Sequence, residues 1–151
     1  MTKKAKNIQF YEAVGKRKQA RARIRLYVTG ANKSITLNNM IIKSGEIMLN
    51  KKPIFQIFPT QDDKNRYLLP LKLTQTEDRF AISIHAEGGG KTGQLDAIIN
   101  GLARAVEKVD PTAYRAVLKK KGLLTRDARV KERRKVGTGG KARRKKQSPK
   151  R

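Results

Sequence analysis

Apolar and polar positions alternate strictly from Arg21 onward, with Ala22, Ile24, Leu26 and Val28 on one side and Arg21, Arg23, Arg25 and Tyr27 on the other. A period of two is that of a pleated chain with one dry face, so a half-buried strand is predicted here. "RFAISIHA" repeats the pattern, with Phe80, Ile82, Ile84 and Ala86 inward and His85 outward. Two shorter strands are predicted in "NKSITLNN" and "GEIMLNKKP", separated by Gly and Asn punctuation. "YLLPLKLT" is apolar on both sides of Pro70 and fits either a short helix or an edge strand. The period then changes. Leu95, Ile98, Ile99, Leu102, Val106 and Val109 recur at helical spacing and predict an amphipathic helix from about Thr92 to Val109, one face of which packs on a sheet.

A second helix is marked at both ends. Asp110 is a side-chain N-cap, Pro111 suits the first helical position, Lys119–Lys121 favour the negative C-terminal end, and Gly122 can take the left-handed conformation beyond it. Its expected apolar face is Ala113, Tyr114, Val117 and Leu118; Phe10, Tyr11, Phe55, Phe58 and Phe80 are expected in the core rather than as base-stacking platforms. Past Leu124 only Ala128, Val130, Val136 and Ala142 are apolar, too few to offset the entropy of ordering. Residues 1–124 therefore read as a domain, and residues 125–151 as an extended arm that is disordered without a partner.

Charge changes the picture most. The 151 residues hold 37 Lys and Arg against 12 Asp and Glu, a net charge of +25, which a free globular protein gains nothing from; a polyanionic partner is implied. The excess sits at the ends. Residues 1–25 carry nine basic groups and one acid, residues 26–114 eleven and nine, and residues 115–151 seventeen and two. Lys16, Arg17 and Lys18, with the Arg21/Arg23/Arg25 face, are the expected phosphate contacts of the domain. In the arm they are Arg126, Arg129, Arg133, Arg134, Lys135, Lys141, Arg143 and Arg144. Gly137, Gly139 and Gly140 interrupt those basic clusters, which suits a chain threading between crowded phosphates, and structured RNA fits best.

Candidate chemistry is sparse. "GGGKTGQ" follows a strand and opens a helix, as a phosphate-cradling P-loop does, but His85 occupies the position of that motif's first glycine. No later apolar strand ends in a magnesium-binding carboxylate, so nucleotide hydrolysis is not expected. Gly88, Gly89, Gly90, Gly93 and Gln94 then form either a flexible turn or a backbone cradle for one phosphate at a helix N-terminus. Asp62–Asp63 and Glu77–Asp78 are adjacent acids in polar stretches without metal-ligand spacing, and His85, the sole histidine, has no partner motif. There is no cysteine, so no thiolate site. No apolar run approaches the roughly 20 residues of a membrane span, and "MTKKAKN" leads into no apolar signal core. A soluble, unexported, non-enzymatic protein without cofactor, metal or membrane partner is expected.

With these residues in view, the chain from about Phe10 to Arg151 resembles the bacterial-type S-nine family of small-subunit ribosomal proteins. "GKRKQARARI" is similar to the family's basic opening strand, "GGGKTGQ" to its glycine signature, and "LLTRDARVKERRKVG" with "KARRKK" and a terminal Lys150-Arg151 to its tail. Two features differ: the region Val28–Gly45 is longer than usual, and the ending "QSPKR" lacks the family's aromatic residue. The resemblance implies an α+β fold with a four-stranded sheet, helices on one face and a left-handed β-α-β crossover. It further implies a structural place in the head of the small subunit, bound to small-subunit rRNA and neighbouring head proteins, in a ribosome that is cytoplasmic or, as the alternative, organellar. Lys150 and Arg151 would reach peptidyl-site tRNA. A free nucleic-acid-binding or RNA-annealing factor is the rival reading.

Overall fold

A computed structural model describes residues 9–29, 34–37 and 40–131. The fold is α+β. The predicted arginine strand is β2 (Ala20–Val28), and it pairs antiparallel on one side with β1 (Phe10–Arg17) and on the other with β7 (Phe80–Glu87). A two-residue turn joins β1 to β2, with Lys18 in the left-handed region at φ 51°. β5 (Ile47–Leu49) lies parallel to the far side of β7, and β6 (Lys52–Pro53) folds back on it, giving the order β1-β2-β7-β5-β6. This is one strand more than the four expected; the extra one is the two-residue β6, attached through a turn in which Asn50 and Lys51 both have positive φ. The Asn50 side chain extends the pairing to β7, donating to the carbonyl of Ala86 at 2.9 Å and accepting from its N–H at 3.0 Å.

The region Val28–Gly45 contains a separate two-stranded ribbon, β3 (Ser34–Leu37) with β4 (Met40–Lys43). β4 was not anticipated. The ribbon covers the end of the sheet face opposite the main core, so Ile35 and Ile42 bury Tyr27 and Ala81 there. This reverses the expected inside and outside at the end of β2: Tyr27 is buried and Val28 is 39% exposed.

From β5 the chain passes through β6 and α1 (Ile54–Ile57) to α2 (Gln61–Leu73), and returns in β7. The ambiguous segment around Pro70 is thus helical. Pro70 removes one internal N–H, and the last turn is held instead by Thr74, whose hydroxyl donates to the carbonyl of Pro70 at 3.0 Å. Asp62 and Asp63, the adjacent acids of a polar stretch, sit in the first turn of α2, where the helix dipole favours negative charge.

α3 (Lys91–Val109) lies across β1 and β2, with Leu95, Ile98, Leu102 and Val106 fully buried as their spacing predicts. α4 (Pro111–Lys120) starts on the predicted cap: the Asp110 carboxylate accepts from the N–H groups of Thr112 and Ala113, both at 3.1 Å. It ends as predicted at Gly122, φ 70°, whose N–H reaches the carbonyl of Lys119 while that of Leu123 reaches Leu118. Its apolar face is narrower than expected, because it meets the core along a single line. Leu118 is buried, Tyr114 half-buried and Val117 exposed. Two aromatic expectations also fail: Phe10, on the edge strand, and Phe55, on the short α1, are 45% and 60% exposed, while Phe58 and Phe80 are in the core and Tyr11 is half-buried against it.

The helices and the inward residues of β1, β2, β7 and β5 make one apolar layer. Its closest point is a crossing of β1 and α3 at Gly15 and Gly101, where a methyl on Gly15 would meet the helix backbone itself. Arg104 and Lys108 of α3 reach over this edge and donate to the carbonyls of Val14 and Glu12, which satisfies acceptors that an edge strand otherwise leaves open.

Candidate nucleic-acid interface

Because α3 occupies one face of the sheet, the alternate residues of β1, β2 and β7 face away from it. Register sets Lys16 opposite Arg21, Val14 opposite Arg23 and Glu12 opposite Arg25, while on the other side Arg21, Arg23 and Arg25 stand opposite Glu87, His85 and Ser83. The result is an open basic strip. Among the described residues, Arg21 and Arg23 are exposed and make no ion pair with a carboxylate. Lys16, Arg21, Arg23, His85 and Glu87 surround one shallow cleft of about 470 Å³. His85 is therefore neither buried nor isolated; it stands among the arginines.

Arg25 differs from its two neighbours. Its Nε donates to Glu12 at 2.6 Å, a hydrogen bond that raises the guanidinium further above its ordinary pKa, and its carbon end lies 5.2 Å from the Phe10 ring. Part of its charge is already answered within the protein. Arg17 differs still more: on β1 it alternates toward the helices, so it lies with Asp96 of α3 and Asp127 and does not join the open strip. Asp96 also pairs with Arg66 of α2 at 2.6 Å.

The glycine signature fills the junction of β7 and α3. Strand pairing continues through Glu87, so only Gly88–Gly90 remain as loop, and His85 is still paired with Arg23 where a P-loop would already have left its strand. Gly88 and Gly89 have φ of 71° and 63°, and a methyl on Gly88 would stand 2.7 Å from the carbonyl of Gln19. The glycines thus let the loop lie directly on the β1–β2 turn. Gln94 closes it, donating from Nε2 to the carbonyl of Gly88 at 3.1 Å. Gly93 faces Ala20 at ordinary contact distance, and at Gly90, the helix N-cap, a methyl would meet open space. Arg17, Lys18, Gly89, Gly90, Lys91 and Lys131 are among the residues lining a cleft of about 650 Å³ at this helix end.

The described part of the arm, residues 125–131, continues from α4 past α3 toward this cleft. Arg126 and Lys131 are exposed, and Arg129 holds Asp127 through a forked pair of 2.7 to 3.1 Å. Those hydrogen bonds, led by the Arg129 side chain, keep the Asp127 carboxyl well below the usual carboxylate range. Arg133, Arg134, Lys135, Lys141, Arg143, Arg144, Lys150 and Arg151 lie outside the described residues, as do Gly137, Gly139 and Gly140. Sequence reasoning missed Asp96, Arg66 and Asp127, whose partnerships join residues far apart in the chain. The one local signal was an acid at 127 inside a basic arm. Among the described residues there is no metal-ligand cluster, and no helix is long and apolar enough to cross a membrane.

The sequence profile described as ribosomal protein S9/S16 matches residues 15–151. The small ribosomal subunit protein uS9 of Maridesulfovibrio salexigens is 43% identical over 131 residues, 87% of this chain and 89% of its own length. That of Rickettsia rickettsii is 42% identical over 148 residues, 98% of this chain and 83% of its own. That of Rickettsia felis is 42% identical over 143 residues, 95% and 78% respectively. With a basic sheet face, a glycine loop seated on its hairpin and a basic arm in this order along one chain, and with a match of that extent, the chain belongs to the ribosomal protein S9/S16 family.

Proposed function

We propose that this chain is a structural constituent of the small ribosomal subunit, in its head, where it binds rRNA. The observation that carries the reading is the match over nearly the whole chain to relatives that bear a small-subunit name. Lys16, Arg21 and Arg23 offer three cations on one rigid strip at strand spacing, which suits the phosphates of a folded RNA rather than its base edges. Lys18 and the backbone N–H groups at Gly89, Gly90 and Lys91 provide a second phosphate contact at the start of α3.

In this reading residues 1–124 dock, and residues 125–151 follow the RNA inward, with Arg126, Arg133, Arg134, Lys135, Lys141, Arg143 and Arg144 against phosphates. Arg25 contributes less than Arg21 and Arg23, since Glu12 already answers part of its charge. Lys150 and Arg151 meet the backbone of peptidyl-site tRNA. The connection from β5 through α1 and α2 to β7 is taken as the family's left-handed crossover. Neighbouring head proteins are further partners, the ribosome is cytoplasmic, and the role is not catalytic. Ultraviolet cross-linking in purified subunits tests the docking face: RNA adducts are expected on β2 and on the loop at Gly88–Lys91, and adducts confined to α2 and α4 would place the RNA on the wrong side.

A further inference from the structure

Arg17 stands within the basic segment "GKRKQARAR", yet the structure gives it other work. Its side chain is only 16% exposed, and all three guanidinium nitrogens are engaged within the protein. Nε faces Asp96 at 3.6 Å, one terminal nitrogen donates to the carbonyl of Arg129 at 3.0 Å, and the other pairs with Asp127 at 3.1 Å. Two of these three partners belong to the arm. Asp96 is in turn held by Arg66, so β1, α2, α3 and residues 127–129 meet at one point.

We propose that Arg17 and Asp127 form a clasp that fixes where the basic arm leaves the domain, and that Arg17 is a positioning residue rather than an RNA contact. Asp127 is the other half of the clasp. An acid within a phosphate-binding arm weakens its attraction for RNA, and only one other, Glu132, occurs after Arg115. Its presence is explained if its carboxylate anchors the arm to Arg17 and, through the fork with Arg129, sets the backbone between them. Anchoring matters because an arm that starts from a fixed point has fewer conformations to lose when it meets its RNA. The clasp thus deepens the RNA-docking reading given above, on which the binding half of its test rests.

The chain has no cysteine, so two can be introduced as unique spin-label sites, Lys64→Cys on exposed α2 and Lys131→Cys at the end of the described arm. Pulsed electron paramagnetic resonance on the full-length protein without RNA is expected to give a narrow distance distribution. Arg17→Gln and Asp127→Asn should each broaden it, and Arg23→Gln, on the open strip, should not. The same variants are then titrated with small-subunit rRNA. Asp127→Asn removes one negative charge, so charge alone makes binding tighter; the clasp instead predicts binding about threefold weaker, the scale of one surface ion pair. An unchanged distribution in Asp127→Asn, or tighter RNA binding by it, overturns the proposal. Should the unaltered protein not bind rRNA at all, the docking reading fails while the distances still decide the clasp.

Discussion

Replacing Gly15 by Ala should do more damage to the fold than any single loss of charge on the open basic strip. At the β1–α3 crossing a methyl on Gly15 would lie within 3.0 Å of the carbonyl oxygen of Ala97 and of the N and Cα of Gly101, where ordinary contact begins at 3.4 Å. All three are backbone atoms of α3, so no rotamer change relieves them; the helix must recede by about an ångström. That helix holds Leu95, Ile98, Leu102 and Val106 fully buried. Each is worth roughly 1.5–3 kcal/mol of burial, and a gap of 0.5–1 Å forfeits about a quarter to a half of close contact, so the loss falls between about 2 and 6 kcal/mol. A melting temperature lower by roughly 5 to 25 °C follows. The control is Gly101→Ala. Its methyl meets the flexible end of the Ile24 side chain and comes no nearer than 3.0 Å to the backbone of Gly15, so a smaller shift suffices, and alanine gains about 1 kcal/mol over glycine in a helix. Thermal and urea unfolding by circular dichroism check both. A Gly15→Ala midpoint within error of the unaltered protein, or a larger loss in Gly101→Ala, would refute the reasoning.

Further outcomes are expected from the site. Arg21→Gln and Arg23→Gln should each lower the log–log salt slope of rRNA binding by about 0.7–0.9, as one phosphate contact does, whereas Arg25→Gln should lower it less; filter binding at several salt concentrations compares them. Asp110 has its carboxyl pKa lowered by the Thr112 hydroxyl and then by the Ala113 N–H, so its stabilising contribution is present above the unfolded value of about 3.9 and is lost as pH falls through the lower folded one. Asp110→Asn should keep the cap and remove this part of the acid dependence in melts between about pH 5 and pH 2. Deleting residues 126–151 should leave a cooperative melt, because the core residues precede Leu124, and a shallower salt slope; a broad, non-cooperative melt would make the arm part of the fold. Removing only Lys150 and Arg151 should raise peptidyl-site tRNA dissociation by about tenfold at unchanged protein occupancy, measured on purified subunits.

Much of the scaffold was legible because its signals are periodic and local. Alternation located β2 and β7, helical spacing located α3, and Asp110, Pro111 and Gly122 bounded α4. What escaped depended on residues far apart. Tyr27 is buried and Val28 exposed, the reverse of expectation, because the β3–β4 ribbon covers a sheet face that the strand's own pattern cannot report. Gly15 read as part of a basic run, although its role is the approach of α3, some eighty positions away in sequence. On the open basic strip, the shared side of Arg21 and Arg23 was legible from alternation, since a residue's side of a strand is local information. Arg17 was grouped with them by composition, and only the strand's register and the return of the arm separate it from them. The glycine loop was left between turn and cradle, and Gly88 against Gln19 explains the turn without requiring a ligand.

The central claim is membership of the small subunit, and sedimentation tests it most directly. A tagged copy expressed in a bacterial cell whose own S9-family protein has been depleted should travel with small subunits on a sucrose gradient. It should stay there, in proportion to rRNA, through a high-salt wash that strips proteins held by exposed charge alone. Recovery of the chain at the top of the gradient after that wash, with the particles intact, would contradict the account and identify a loosely bound RNA-binding factor instead.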